Sequence, residues 1–242
     1  MPALFDHLDA LRKRGEKALV PFVTAGDPPL DQLPAVLEAL VEGGADVIEL
    51  GIPFSDPIAD GPVIQASSQR ALDAGTTPTA ILDLLAGLSL PVPVVLMGYL
   101  NPMLRVGLGE FAAQAKAAGV AGILVSDLTP EESDEWSAVA NQTGLDTVFL
   151  VAPTSTPDRV KAAADRTTGF VYAVSRTGVT GEQTTVPAEV GGLVESVRAH
   201  TQCPVLVGFG ISRPEHVAAV CKVADGAIVG SALVRMLASS WQ

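Results

Sequence analysis

The run Val47-Ile48-Glu49-Leu50-Gly51-Ile52-Pro53-Phe54-Ser55-Asp56-Pro57-Ile58-Ala59-Asp60-Gly61-Pro62 reads as a short strand, a shaped loop and the start of a helix. Val47 and Ile48 are apolar, so Glu49 falls near the end of a strand that otherwise reads as fully buried. A lone ionised carboxylate is not tolerated there; it shifts its pKa or gains a partner, and an acid beside a buried strand usually has a task. The prolines and Gly61 shape the loop, and Asp60 at its end is placed to fold back towards Glu49. A plainer reading makes Glu49 a strand-end salt bridge and Asp56 and Asp60 solvated turn residues.

The same succession recurs on both sides. Strand-like runs cover Ala18 to Thr24, Asp46 to Leu50, Val92 to Met97, Gly122 to Val125, Thr147 to Val151, Phe170 to Val174, Val205 to Phe209 and Ala227 to Val229. Helical patterns lie between them, at Leu30 to Glu42, Val63 to Ala74, Pro78 to Leu85, Leu108 to Ala118, Glu131 to Thr143, Asp158 to Arg166, Glu189 to Ala199 and Pro214 to Val220. Leu4, Phe5, Leu8 and Leu11 add an N-terminal amphipathic helix that would cap one end of a barrel. Eight strand-helix units in 242 residues suggest an α/β chain folded as one (β/α)8 TIM barrel over residues 1–242, although an open doubly wound sheet gives similar local patterns.

Composition agrees. The chain is 48% hydrophobic but only 5% aromatic, which suits the Val/Ile/Leu-rich strands of a covered parallel sheet. A formal charge of −12 argues against a nucleic-acid or anionic-membrane partner, since binding phosphate backbones needs a basic face. Cys203 and Cys221 are too few for a disulfide framework and lack metal-ligand spacing. With no signal-peptide pattern and no apolar run long enough to span a bilayer, a cytoplasmic protein is expected.

In a barrel the working loops follow the strands. Asp127 after the fourth strand would orient Glu49 or a substrate group, or belong to the next helix's first turn. The long polar connection Ser175 to Pro187 exceeds the usual βα loop and is read as a lid. Gly208-Phe209-Gly210-Ile211-Ser212 and Gly230-Ser231-Ala232 follow strands seven and eight, where backbone amides approach a ligand and barrels often bind phosphate. His7, His200 and His216 lie away from these loops, which gives a metal site or His-based triad little support.

Taken together, Glu49 to Pro62, Arg176-Thr-Gly-Val-Thr-Gly181 and Gly208-Phe-Gly-Ile-Ser212 resemble the tryptophan synthase alpha subunits, and the likeness runs from the first helix through Gly230-Ser231. The resemblance implies retro-aldol cleavage of indole-3-glycerol phosphate to indole and glyceraldehyde 3-phosphate in L-tryptophan biosynthesis. It implies that Glu49 is the principal acid/base and Asp60 the second catalytic carboxylate. Gly181, Gly210, Gly230 and Ser231 would bind the substrate phosphate, and Phe22, Leu96, Leu124, Tyr172, Thr180 and Phe209 would line the indole pocket. No cofactor is implied in this chain. A pyridoxal-phosphate-dependent beta subunit is the implied partner, in an alpha2beta2 heterotetramer, with Pro53, Asp56 and Asn101-Pro102 on the contact side. Rival readings are a stand-alone indole-3-glycerol phosphate lyase and a weakly catalytic regulatory subunit that binds phosphate. One departure is the C-terminus, where eleven residues follow Ser231 and the family usually has a longer final helix, so a short last helix is expected.

Overall fold

A computed structural model describes residues 4–175, 188–208 and 210–240. Its centre is a closed barrel of eight parallel strands in sequential order. The strands are β1 Ala18–Thr24, β2 Ile48–Gly51, β3 Val94–Gly98, β4 Gly122–Val125, β5 Asp146–Val151, β6 Val171–Val174, β7 Val205–Gly208 and β8 Gly226–Val229. The outer helices of the first half are α2 Leu33–Glu42, α3 Pro62–Asp73, α4 Pro78–Ala86, α5 Leu100–Val106 and α6 Leu108–Ala117. Those of the second half are α7 Asp134–Thr143, α8 Pro157–Arg166, α9 Ala188–Arg198, α10 Pro214–Val220 and α11 Ser231–Ser240. The open-sheet alternative is therefore excluded by the pairing of β1 with β8.

Most differences from the expected elements lie at their ends. Helix α5 was not anticipated: it is seven residues long and sits in a stretch whose Pro102 hides the period. Leu30–Gln32 forms a separate 3-10 turn before α2, where Pro34 marks the new helical start. The short last helix is present, and Val234 is buried while Leu233 and Leu237 pack on the core, so α11 still covers β1 beside α3.

The strand period of two sorts side chains into layers. On β2 and β3, Ile48, Leu50, Val94 and Leu96 point out to the helices. Val47, Val95 and Met97 join Val20, Phe22 and Leu124 inside the barrel. As anticipated, α1 (Leu4–Lys13) plugs one end: Leu4, Leu8 and Leu11 belong to that inner cluster. The Leu4 backbone N–H donates to Asp146 Oδ2 at 2.8 Å. Glycines make this plug possible, because a Cβ on Gly169 or Gly122 would lie 2.8 or 3.1 Å from Leu4 Cδ2.

Gly226 at the start of β8 is under a harder constraint. A Cβ there would lie 2.5 Å from the carbonyl oxygen of Ala18 and 2.7 Å from its Cβ. Gly226→Ala should therefore push β8 from β1 and destabilise the protein by about 1–3 kcal/mol, the usual cost of overpacking a core. Urea unfolding checks this, and an unchanged midpoint would refute it.

Candidate active site

At the opposite end of the barrel from α1, the strand ends surround a cavity of about 350 Å3. Its walls include Phe22, Met97 and Tyr172 from the barrel and Ile64 from α3. Two carboxylates, Glu49 and Asp60, face into it. Gly210, Ile211 and Ser212 after β7 and Gly230, Ser231 and Ala232 around the start of α11 form another side. Arg235 completes that side as the only basic residue among the described lining.

Glu49 arrives there by register. It pairs with Phe22 on β1 and Val95 on β3, both inward positions, so the alternation that sends Ile48 and Leu50 outward sends Glu49 into the barrel. It is 1% exposed, and its Oε1 has no hydrogen-bond partner among the described residues. Burial, with the Asp60 charge adding to it, pushes its pKa up to about 8, so the carboxyl holds its proton at neutral pH. Among the described residues Glu49 has no salt-bridge partner, contrary to the strand-end salt bridge of the plainer reading.

Asp60 is positioned by Tyr99. The Tyr99 hydroxyl donates to Asp60 Oδ2 at 3.0 Å and accepts from the Ala59 N–H at 3.0 Å. Phe54 stacks on the Tyr99 ring at 5.0 Å, which ties the start of the loop to its end. Burial raises the Asp60 pKa, while the Tyr99 hydrogen bond opposes the rise by favouring the ionised form. Burial and the Tyr99 bond thus act on Asp60 in opposite directions, whereas both influences on Glu49 favour its proton.

The aromatic walls need missing side chains opposite them. A Cβ on Gly51 would lie 2.5 Å from the Phe22 ring, and one on Gly208 would lie 2.3 Å from the Tyr172 hydroxyl. Gly208, read from sequence as part of an anion-binding loop, is thus required by Tyr172. Gly210 does carry a left-handed backbone, with φ of 74°. Gly230 precedes α11, and its carbonyl accepts the first bonds of the helix, from Leu233 at 2.9 Å and Val234 at 3.1 Å. The N–H groups of Ser231 and Ala232 lie before these donors, at a helix N-terminus suited to an anion.

Several expected pocket residues are placed differently. Leu96 points away, packed among Leu50, Ile123 and other residues beneath the helices, and Met97 takes the place on the cavity wall. The cause is a slip of one residue in a strand, which reverses the face. Leu124 pairs with Met97 and lies inside the barrel, but is buried outside the cavity wall. Thr180, Gly181, Phe209 and the segment read as a lid lie outside the described residues, apart from buried Ser175. Asp127 neither faces the cavity nor starts the following helix; its Oδ1 accepts the Leu100 N–H at 2.8 Å, at the start of α5.

Other site residues were legible only in part. Ile64 and Arg235 carry no sequence signal of their own, although Arg235 stands four positions after Ser231, on the same helical face. Tyr99 follows β3 in a loop that was not singled out.

The buried acid fixes a sign for the pH dependence of stability. Between its ordinary value near 4.5 and about 8, the folded protein keeps the Glu49 proton that the unfolded chain has released. Stability from this group is thus fully present below 4.5 and is lost as pH rises to about 8. In Glu49→Gln that slope should disappear, leaving the variant more stable than the parent at pH 8 by on the order of a few kcal/mol. Parallel pH–stability curves for the two proteins would contradict the buried-acid assignment.

Comparison with known proteins places this geometry. The family model described as tryptophan synthase alpha chain matches residues 8–242. The tryptophan synthase alpha chain of Solibacter usitatus is 52% identical over 95% of this chain and 86% of its own. That of Geobacter sulfurreducens is 52% identical over 93% and 86%. The crystal structure of tryptophan synthase subunit alpha from Legionella pneumophila superposes with a TM-score of 0.90 at 37% identity, covering 100% of this chain and 90% of the other. A Mycobacterium tuberculosis tryptophan synthase structure gives 0.90 at 39% identity, covering 98% and 91%. With nearly its whole length matched and its two inward carboxylates at one cavity, the chain belongs to the tryptophan synthase alpha chain family.

Proposed function

We infer that this chain is a carbon–carbon lyase of tryptophan biosynthesis, cleaving indole-3-glycerol phosphate to indole and glyceraldehyde 3-phosphate. The observation that carries the reading is a fully buried Glu49, its pKa raised to about 8 by that burial, sharing an apolar-walled cavity with Asp60.

The reaction must deliver a proton to indole C3, relieve positive charge at the ring nitrogen and remove a proton from the hydroxyl next to the breaking bond. Glu49 begins with the proton it holds and gives it to C3. The C3–carbon bond then breaks, its electron pair restores the indole ring, and the hydroxyl carbon becomes the aldehyde. The released hydroxyl proton returns to the Glu49 carboxylate, so no proton is taken from solvent over the cycle. Asp60, held by Tyr99 and favoured in its ionised form by that bond, accepts from the indole N–H and offsets the charge that develops there. Phe22, Met97, Ile64 and Tyr172 supply the apolar walls for the ring. The phosphate lies against Gly210, Gly230 and the amides of Ser231 and Ala232, with Arg235 beside them; Gly181 belongs to the same proposed subsite, and Thr180 and Phe209 to the indole pocket.

The partner in this reading is a beta subunit carrying the pyridoxal phosphate that consumes indole with serine, in an alpha2beta2 assembly. Support comes from the family and from exposure: Ile58 is 83% exposed and Leu104 51% exposed, on the two segments that hold Pro53, Asp56 and Asn101-Pro102. Apolar side chains so open to water are the kind that a partner covers. This chain needs no cofactor for the chemistry above. A cytoplasmic setting is part of the proposal, and no helix among the described residues is long and apolar enough to cross a membrane. Two catalytic carboxylates at one cavity disfavour the purely regulatory alternative.

The test is indole release by the purified chain with and without a beta subunit. Glu49→Gln and Asp60→Asn should each lower kcat by ~10²–10⁴-fold, the range of positioned acid–base groups. Near-normal turnover of either would remove that residue from the mechanism. Acceleration on adding the beta subunit is expected, whereas fast release unaffected by it would favour the stand-alone lyase.

A further inference from the structure

Beside Asp60, sharing Phe22, Ile64 and Met97 with the main cavity, is a second, much smaller space. Its wall includes Thr24, Gly51, Asp60, Ser68, Gly98 and Tyr99. It has room for the centre of a single water molecule, about 10 Å3. Two polar atoms around it have no hydrogen-bond partner among the described residues, Thr24 Oγ1 and Asp60 Oδ1. Thr24 is 1% exposed and sits at the inward end of β1, two residues beyond Phe22. Buried polar groups are rarely left unsatisfied, and buried waters recur where a water-sized space meets polar atoms of this kind.

We propose that one buried water bridges Thr24 Oγ1 and Asp60 Oδ1, which makes Thr24 a positioning residue for Asp60. The inference rests on the catalytic reading of Asp60 given above. The water accepts the Thr24 hydroxyl proton and donates to Asp60 Oδ1, while Tyr99 donates to Oδ2 at 3.0 Å. Each carboxylate oxygen is then held by one donor, which fixes the plane of the group and leaves its outward lone pairs for the indole N–H. The water also favours ionised Asp60 over the protonated form, the state in which it offsets charge.

The titratable groups facing Asp60 are Glu49 from β2, Tyr99 after β3 and Tyr172 from β6, with Arg235 of α11 on the cavity wall. Thr24→Val keeps the shape and alters none of them. Its kcat should fall by about 10-fold with KM changed by less than about 2-fold, because an orientation used in the transition state is lost while ground-state binding is kept. The acid limb of its kcat–pH profile should move to higher pH, and Thr24→Ser should restore both. A high-resolution crystal structure should show a water within about 2.6–3.2 Å of both oxygens. Absence of that water, with Thr24 bonded directly to Asp60, overturns the bridge. A water present but a wild-type kcat and profile in Thr24→Val overturns the positioning role. If the parent enzyme releases no indole at all, the functional reading has failed instead, and the crystallographic result still decides the bridge on its own.

Discussion

Space inside a closed eight-stranded barrel is the constraint from which the rest follows. The strand ring fixes the interior width, so every large inward side chain must be matched by a small neighbour. At the α1 end the match is made for filling: Gly122 and Gly169 yield to Leu4, and Gly226 admits the β1 backbone. At the other end it is made for leaving a wall and a hollow: Gly51 yields to Phe22 and Gly208 to Tyr172. The aromatic rings can then stand at the rim while the middle stays open. Strand glycines lower β propensity, and here that local cost is offset by packing no other residue permits.

Into this hollow the register delivers a carboxylate, and the environment decides what it becomes. Had Glu49 been given a cation, it would be a low-pKa ion with nothing to donate. Arg235, the only basic residue among the described lining, stands with the Gly230–Ala232 turn at the start of α11, and Glu49 is left buried with the Asp60 carboxylate as the charge that acts on it. Both influences favour the proton. Asp60 instead has a phenol donor from Tyr99, which works in the opposite direction. Two chemically similar acids are thereby set apart, one with both influences favouring its proton and one with a donor that opposes protonation, and no histidine is among the described lining residues.

Much of this was legible in the chain, for identifiable reasons. The strand-helix alternation needs only hydrophobic period and glycine stops, and it located all eight strands. Glu49 stood out because an acid inside a Val/Ile/Leu strand has no structural excuse. Leu96 was misplaced because Val94 to Met97 is apolar throughout, and in a strand covered on both faces nothing in the residues distinguishes in from out. Only pairing with β2 and β4 fixes that β3 turns Val95 and Met97 inward. Helix α5 and Tyr99 escaped for a related reason: their roles come from contacts distant in sequence, Asp127 to Leu100 and Tyr99 to Asp60, which no local pattern records.

The net charge poses a last question, since a chain at −12 is asked to hold a phosphate ester. Long-range attraction does not help such a ligand, and Glu49 and Asp60 at the same cavity would repel it further if both were ionised. The protonated state of Glu49 removes one of those charges. In the proposed reading what remains is short-range: helix N-terminal amides at α11, the left-handed Gly210 turn and the Arg235 guanidinium, grouped on one side of the cavity. In that reading, segregating the anion's contacts from the carboxylates is what would let one small cavity bind a dianion and still keep a neutral acid. The same desolvation that would make a poor phosphate site of an acidic protein is what arms Glu49 with its proton.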